Sequence, residues 1–260
     1  MAAIDCGFQL LQLPEKRDGE QESELEKFAA ELHKVRGDVY RTRGAPEQAI
    51  VAYREAYSRF SDAGSAPCTR IDIQGSIAWA LREMEQEDEA LKISRSIISQ
   101  YEGLEIEGSS MAEALARHYD TIGTISLGKK ELDTAQTMYQ KAKELREVGS
   151  KVELLAHSDG NLACVAALTG DWLKASVVFG RVVHLWTRLG DARMMSIGQL
   201  NQVECFIELF EKSGGSDKQD YKVSAHTTLS AVKAHMDHYG ISEFDQNYEG
   251  LVGRLKVKST

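Results

Sequence analysis

The chain has 260 residues, 42% of them hydrophobic and 27% charged, which is the composition of an ordinary folded protein. Its 31 basic and 40 acidic residues give a net charge of −9. This argues against nucleic acid as a partner, because contact with the phosphate backbone needs a basic surface.

The first residues lack the charged-then-apolar pattern of a secretory signal, and no apolar run approaches the ~18 residues of a membrane-spanning helix. We therefore expect a cytoplasmic protein with no membrane partner. Apolar residues recur with helical period along almost the whole chain, and no stretch shows the alternation of a strand. The pattern predicts helices over residues 23–43, 46–62, 69–84, 87–101, 109–128, 131–148, 150–169, 172–188, 192–212, 219–239 and 242–255.

Residues 119–142 carry small and aromatic residues at regular spacing. The first helix of this stretch carries the motif Y-x2-I-G, which ends at Gly123. After the turn LGKKELD, the second helix carries the motif A-x3-Y-x2-A, which begins at Ala135. Glycine and alanine let two helices lie close together, and a large residue such as Tyr139 fills the space between hairpins. The spacing resembles that of the tetratricopeptide repeat (TPR), W-x2-L-G-x2-Y followed by A-x3-F.

The same pattern recurs along the chain. Gly37 and Tyr53 belong to a second good copy, weaker copies lie around Ala90 and Ala175, and a fifth hairpin is expected around Ala225. The marker alanines are 41, 45 and 40 residues apart: Ala49, Ala90, Ala135 and Ala175. This period resembles the longer-repeat branch of the TPR superfamily, which includes the G-protein-signalling modulators with Leu-Gly-Asn repeats and the kinesin light chains. The resemblance implies an all-α fold, a right-handed helical solenoid of about five TPR-like helix-turn-helix repeats.

The two ends differ from the repeats. We expect residues 1–22 to be a partly flexible segment. The run 15–24 is polar and acidic enough to be flexible, and the apolar cluster before it is expected to be either disordered or docked on the first hairpin. That cluster contains Phe8, Leu10, Leu11 and Leu13. The solenoid is expected over 23–240. Residues 241–260 are expected to form a capping helix and short tail, with a partner-docking helix as the alternative. The apolar face of this helix consists of Phe244, Tyr248, Leu251, Val252 and Leu255.

Motifs for catalysis are missing from the sequence. It has no phosphate-binding glycine loop, no GxSxG and no HExxH, and its four cysteines form no zinc spacing. His235 and His238 are three residues apart on a predicted helix, but two histidines without a third ligand are more typical of a solvated helix face. We expect no catalytic residue, no metal and no cofactor.

The resemblance implies that the first helices of successive hairpins line a concave groove. In the family, ligands contact positions 2, 5, 6, 9, 12 and 13 of these helices. Position 6 carries mostly small polar residues here: Val35, Ser76, Thr121, Asn161 and Asn201. Similar asparagines hold extended peptides in the longer-repeat branch, because an amide both donates to and accepts from a peptide backbone. The alternative is that these residues bond between helices or to water.

Other predicted groove residues are Lys34, Asp38, Arg41, Trp79, Arg82, Arg117, Thr124 and Glu204. Four of them are cations near the N-terminal end, which either attract an acidic peptide or are simply solvated. Trp79 is either a binding anchor or part of the core. Asp38 stands where chaperone-tail receptors have an asparagine, and its charge would repel a C-terminal carboxylate.

These features predict a non-enzymatic adaptor or scaffold that binds an extended or helical segment of another protein in its groove. One alternative is a fixed structural subunit of a larger assembly, which would use the convex face and the C-terminal cap. The others are a regulator gated by a small ligand or peptide, and an enzyme whose active site leaves no local motif.

Overall fold

The structure, a computed structural model, describes residues 1, 4, 5, 7, 9, 19–62, 67–106, 108–148 and 151–257. From residue 19 onward the described ranges contain eleven helices and no strand. They are α1 (Gly19–Thr42), α2 (Pro46–Asp62), α3 (Pro67–Glu83), α4 (Glu87–Tyr101), α5 (Ser109–Gly128), α6 (Leu132–Glu147), α7 (Val152–Leu168), α8 (Trp172–Leu189), α9 (Ala192–Lys212), α10 (Gly215–Tyr239) and α11 (Asp245–Val257). The predicted all-α class is confirmed.

Two helices begin four residues earlier than the sequence pattern predicts. Helix α1 begins at Gly19 rather than at residue 23, so residues 19–24, expected to be flexible, are helical. Its first turn contains Glu20 and Glu22, whose charges are favourable at the positive end of the helix dipole. Helix α10 begins at Gly215 rather than at residue 219. The predicted N-terminal apolar cluster and residues 15–18 lie outside the described residues.

The chain divides into two compact units, Met1–Gly149 and Ser150–Thr260. In the first unit α1–α2, α3–α4 and α5–α6 form hairpins, and α3 also packs against α2 and α5. In the second unit α7–α8 and α9–α10 form hairpins, with α9 packed against α8. The predicted 23–240 solenoid boundary stays a prediction.

The glycines of the two good repeat copies make room for a buried tyrosine. A Cβ atom added to Gly37 would lie 2.5 Å from the ring of Tyr53, and one added to Gly123 would lie 2.8 Å from the ring of Tyr139. Both tyrosines are almost fully buried. Tyr53 donates a hydrogen bond to Asp38 at 2.8 Å, and Tyr139 donates to Thr124 at 3.1 Å. The repeat signature thus fixes the crossing of each hairpin.

In the second hairpin, a histidine fills the space that a tyrosine fills in the two good repeat copies. Ser94 stands where the two good copies have tyrosine, four residues after the marker alanine, and it is too small to fill the space. The imidazole of His118, from the following hairpin, is fully buried there. Its Nδ1 lies 3.2 Å from the Ser94 hydroxyl and its Nε2 lies 3.1 Å from the carbonyl oxygen of Ile71. Burial lowers the pKa of His118 to about 4, so the ring is neutral at pH 7.

The turns confirm the register of four repeats. In each, the residue five before the marker alanine has a positive φ: Gly44 (67°), Glu85 (59°), Lys130 (61°) and Gly170 (90°). The next amide always donates to a carbonyl five residues back, at 2.8–3.0 Å. The fifth hairpin lacks this turn, because α10 begins ten residues before Ala225. Its second helix is therefore longer than in the other repeats.

Helix α11 covers the last hairpin, as the predicted capping helix should. Leu251 and Leu255 are buried in an apolar cluster with residues of α9 and α10, and Phe244, Tyr248 and Val252 pack against its edge. The members of this cluster from α9 and α10 are Leu200, Val203, Ile207, Ala225, Leu229, Val232 and Met236. The helix ends at Val257, two residues beyond the predicted end.

Candidate functional site

Ion pairs join the first helices of all three hairpins in the first unit. Lys34 on α1 places its Nζ 3.4 Å from an oxygen of Asp72 on α3. The guanidinium of Arg117 on α5 pairs with the other oxygen of the same carboxylate. Asp72 therefore lies between two cations from the neighbouring first helices. We call the surface formed by Lys34, Asp38, Arg41, Asp72, Trp79 and Arg117 the polar face of the first unit.

An aromatic ring lies beside these charges. The Arg41 guanidinium carbon is 5.5 Å from the centroid of the Trp79 ring, a cation–π distance. The Nε of Arg41 lies 3.8 Å from an oxygen of Asp38, which also accepts the Tyr53 hydrogen bond. Trp79 is half-buried and also packs against the apolar core of the unit. It is thus neither wholly core nor wholly exposed.

The four cations predicted to attract an acidic peptide all have a carboxylate within 4 Å. Lys34, Arg41 and Arg117 pair with Asp38 or Asp72, and Arg82 lies 2.7 Å from Glu83. Four positive charges therefore meet three negative ones, so the attraction for a purely acidic segment is weaker than the cations alone suggest. The polar face alternates in sign.

The hydroxyl groups predicted for the groove are used inside the protein. Ser76 is 1% exposed and Thr121 is 5% exposed, and each donates to the carbonyl oxygen four residues earlier in its helix. Thr124 accepts the hydrogen bond of Tyr139. Val35, at the same repeat position on α1, is 46% exposed. A role of these residues in binding stays a prediction.

In the second unit Asn161 lies on α7 and Asn201 on α9, both half-buried. The Nδ2 of Asn201 is 4.0 Å from the sulfur of Cys164, so this amide has a contact between helices. Burial raises the pKa of the Cys164 thiol to about 11, which keeps it protonated at pH 7. Glu204 is exposed and lies 3.4 Å from Arg254 of α11.

Two charged residues of the first unit escaped the sequence interpretation. Asp72 occupies position 2 of its first helix, so the repeat spacing itself could have identified it. Arg146 could not be found this way, because it comes from the second helix α6. Its side chain is 4% exposed and pairs with Glu113 at 2.8 Å and Asp120 at 2.6 Å, both on α5.

Side chains for metal binding do not converge in the described part of the chain. Within those ranges no group of three or more His, Cys, Asp or Glu side chains could hold a metal ion. His235 instead has its Nε2 3.2 Å from the carbonyl oxygen of Ala192, and the ring of His238 packs on Tyr239. Burial raises the pKa of Cys205 to about 12, which disfavours the reactive thiolate. None of the helices that the structure describes is long and apolar enough to cross a membrane.

Cavities of ligand size lie at two places among the described residues of the first unit, and no residue of the polar face lines either of these two. One, of about 340 Å³, lies among α4, α5 and α6 beside Tyr101, Tyr119 and Lys141. The other, of about 350 Å³, lies between α1 and α2 beside His33, Tyr40 and others. Their sizes are at the low end of ordinary small-molecule sites.

No protein-family model matches the chain, and no curated protein matches it in sequence. Its structure, however, is similar to solved structures. BtubC (BKLC) from P. vanneervenii has a TM-score of 0.65 and 16% identity, over 93% of this chain and 90% of that one. The TPR-like repeats of a kinesin light chain from Podosopora anserina have a TM-score of 0.53 and 15% identity, over 84% and 98%. A Rap protein complexed with Competence and Sporulation Factor has a TM-score of 0.57 and 16% identity, over 98% and 70%. The predicted TPR-like fold is confirmed.

Proposed function

We propose that this chain, which has a fold of TPR-like repeats, is a non-catalytic adaptor that binds a segment of another protein on the polar face of its first unit. The observation that carries the proposal is the arrangement of Arg41 over Trp79 beside the Lys34–Asp72–Arg117 ion pairs. A structurally similar Rap protein has been solved with a Competence and Sporulation Factor, which supports a role in binding a protein or peptide.

The polar face suits a peptide because its side chains are already held in place. Each cation is fixed by a carboxylate, so less side-chain freedom is lost when a partner binds. Arginine and tryptophan together are the residue types most enriched where interface energy concentrates. Arg41 lies over the ring of Trp79, and a partner group that replaces this guanidinium gains contact with the ring.

The alternating charges favour a partner segment that carries both signs. A purely acidic segment would meet Asp38 and Asp72, and a purely basic one would meet Lys34, Arg41 and Arg117.

In the second unit, Asn161 and Asn201 are the residues that we propose for contact with the backbone of a bound segment. Half-buried amides suit such contacts, because they donate and accept at once.

The test compares two arginines on the same hairpin. Arg41→Ala removes one cation from the polar face, whereas Arg54→Ala is the matched control, since Arg54 is exposed on α2 and its one ion pair among the described residues is with Glu89 at 3.5 Å. Both variants and the wild-type chain are used as bait for quantitative capture from a cytosolic extract, after thermal melting shows equal stability. We expect a partner that wild type and Arg54→Ala retain and Arg41→Ala loses. Equal capture by all three would contradict the proposal.

A further inference from the structure

The C-terminal helix α11 is held on α9 and α10 by few contacts, and one residue makes many of the polar ones. Arg254 pairs with Glu204 at 3.4 Å, with Glu208 at 2.7 Å and with Glu211 at 3.3 Å, all on α9. Among the α11 residues whose burial the structure describes, Leu251 and Leu255 alone are in the buried core. Terminal elements with so little buried surface open more readily than the rest of a fold.

The sequence of α11 makes the helix itself weak. Gly250 and Gly253 both lie in its interior, on the exposed side. A Cβ atom added to either would meet nothing within 4 Å, so neither glycine is needed for a close approach. Glycine in a helix interior is less favourable than alanine, and together the two lower the helical population by about 5- to 30-fold. This cost is not offset by packing.

The surface under α11 has the character of a helix-binding groove. Its floor is the apolar cluster of α9 and α10, and the carboxylates of Glu204, Glu208 and Glu211 line one edge. One basic residue of α9 also lies at this edge: Lys212 pairs with Glu208 at 3.3 Å. Without Arg254, three carboxylates and one lysine would remain along this edge. A helix that binds here therefore needs an apolar face with an arginine or lysine beside it.

We propose that the α9–α10 surface is a docking site for an amphipathic, basic helix of a partner protein, and that α11 is its displaceable resident. A partner helix that makes the same contacts and has no interior glycine has a higher intrinsic affinity for this surface than α11. Against this, α11 has the advantage of being covalently tethered beside the surface. This site lies on other helices than the polar face, and the proposal does not depend on that face. Glu204, expected in the groove, would be one of its contacts.

The experiment uses a labelled peptide of residues 241–257 with Gly250→Ala and Gly253→Ala as the probe. The full-length chain is titrated as wild type, as Arg254→Glu, which weakens the resident helix, and as Lys256→Glu. Lys256 is the matched control, because it is exposed in the same turn and makes no ion pair among the described residues. We expect at least about tenfold tighter probe binding by Arg254→Glu than by the other two. A control peptide, which is the same probe with its own Arg254→Glu substitution, should bind none of the three protein chains.

A second variant closes the site instead of opening it. Gly250→Ala with Gly253→Ala in the full-length chain strengthens α11, so we expect weaker probe binding than by wild type, and slower hydrogen exchange at α11 amides. Equal probe affinity for wild type, Arg254→Glu and Lys256→Glu would overturn the proposal. So would exchange at α11 amides of the wild type as slow as at those of α9. Dimers of the Arg254→Glu chain at assay concentration would overturn it too, since the occupant would then be another copy.

Discussion

The close contact between Gly123 and Tyr139 makes a sharp prediction about a single methyl group. Gly123→Ala places a Cβ atom 2.8 Å from a ring that is 2% exposed and held by its hydrogen bond to Thr124. Ordinary carbon contacts are about 3.5–4.0 Å, so the ring or the helix must move. Overpacking of this kind costs about 1–3 kcal/mol, whereas the gain in helix propensity is about 0.5–1 kcal/mol. The difference spans about 0–2.5 kcal/mol, and we expect a net loss near the middle of that range, about 1 kcal/mol.

The control is the same substitution at Gly128, in the same unit and at the end of the same helix. A Cβ atom there meets nothing within 4 Å and the residue has no positive φ, so Gly128→Ala should be neutral or stabilise by up to about 0.5 kcal/mol. Urea unfolding followed by circular dichroism measures both free energies of unfolding. If Gly123→Ala were as stable as Gly128→Ala, the close crossing of α5 and α6 would be refuted.

The remaining predictions concern a turn, a buried imidazole and a buried arginine. Lys130→Gly should raise the free energy of unfolding by about 0.5–1 kcal/mol, because φ is 61° at this position; a lower melting temperature would contradict this. The pKa of His118 is about 4 when folded and about 6.5 when unfolded, so the unfolded chain binds more protons between these values. Stability should therefore fall as the pH drops from 6.5 to 4, by up to about 1.4 kcal/mol per pH unit. When the free energy of unfolding is measured with urea from pH 7 to 4.5, the His118→Gln chain should lack this part of its pH dependence. The same pH dependence in His118→Gln as in wild type would contradict the assignment to His118. Arg146→Ala should cost about 3 kcal/mol, since Glu113 and Asp120 lose their buried partner; a change below about 1 kcal/mol in urea unfolding would show that the pair is solvated.

The helices and the repeat register could be predicted because both rest on local spacing. Apolar residues at period 3.6 identified the helices, and the marker alanines placed four hairpins in register. The close approach of the two helices at Gly123 was predicted, but Tyr139 was expected between hairpins and instead packs against Gly123 within its own hairpin. Helix starts were less accurate, because glycine and acidic residues before the apolar pattern do not mark a boundary strongly.

Contacts between hairpins could not be predicted in the same way. His118 fills the space beside Ser94 from another hairpin, and Arg146 reaches two carboxylates of α5 from the second helix. Such contacts depend on side-chain packing in three dimensions and leave no local spacing in the sequence. The left-handed turn residues were hidden for another reason: Glu85 and Lys130 occupy positions where glycine is usual, so residue type gave no signal.

The proposed site was only partly accessible from sequence. The spacing of the repeat positions identified four residues that the structure brings together on one face: Lys34, Arg41, Trp79 and Arg117. It did not indicate that Asp72 and Asp38 pair with these cations, which is why we propose a segment of mixed charge rather than the acidic peptide that was one of two alternatives. It also gave no sign that Ser76 and Thr121 use their hydroxyls within their own helices.

Photo-crosslinking from two valines of one hairpin tests the central claim most directly. Val35 is 46% exposed on the first helix α1, and Val51 is 70% exposed on the second helix α2. Each is replaced in turn by a photo-reactive phenylalanine analogue, and the partner captured in the arginine experiment is added. The account predicts crosslinks to the partner from position 35 and none from position 51. Crosslinks from position 51 alone, or equally from both, would contradict binding on the first helices.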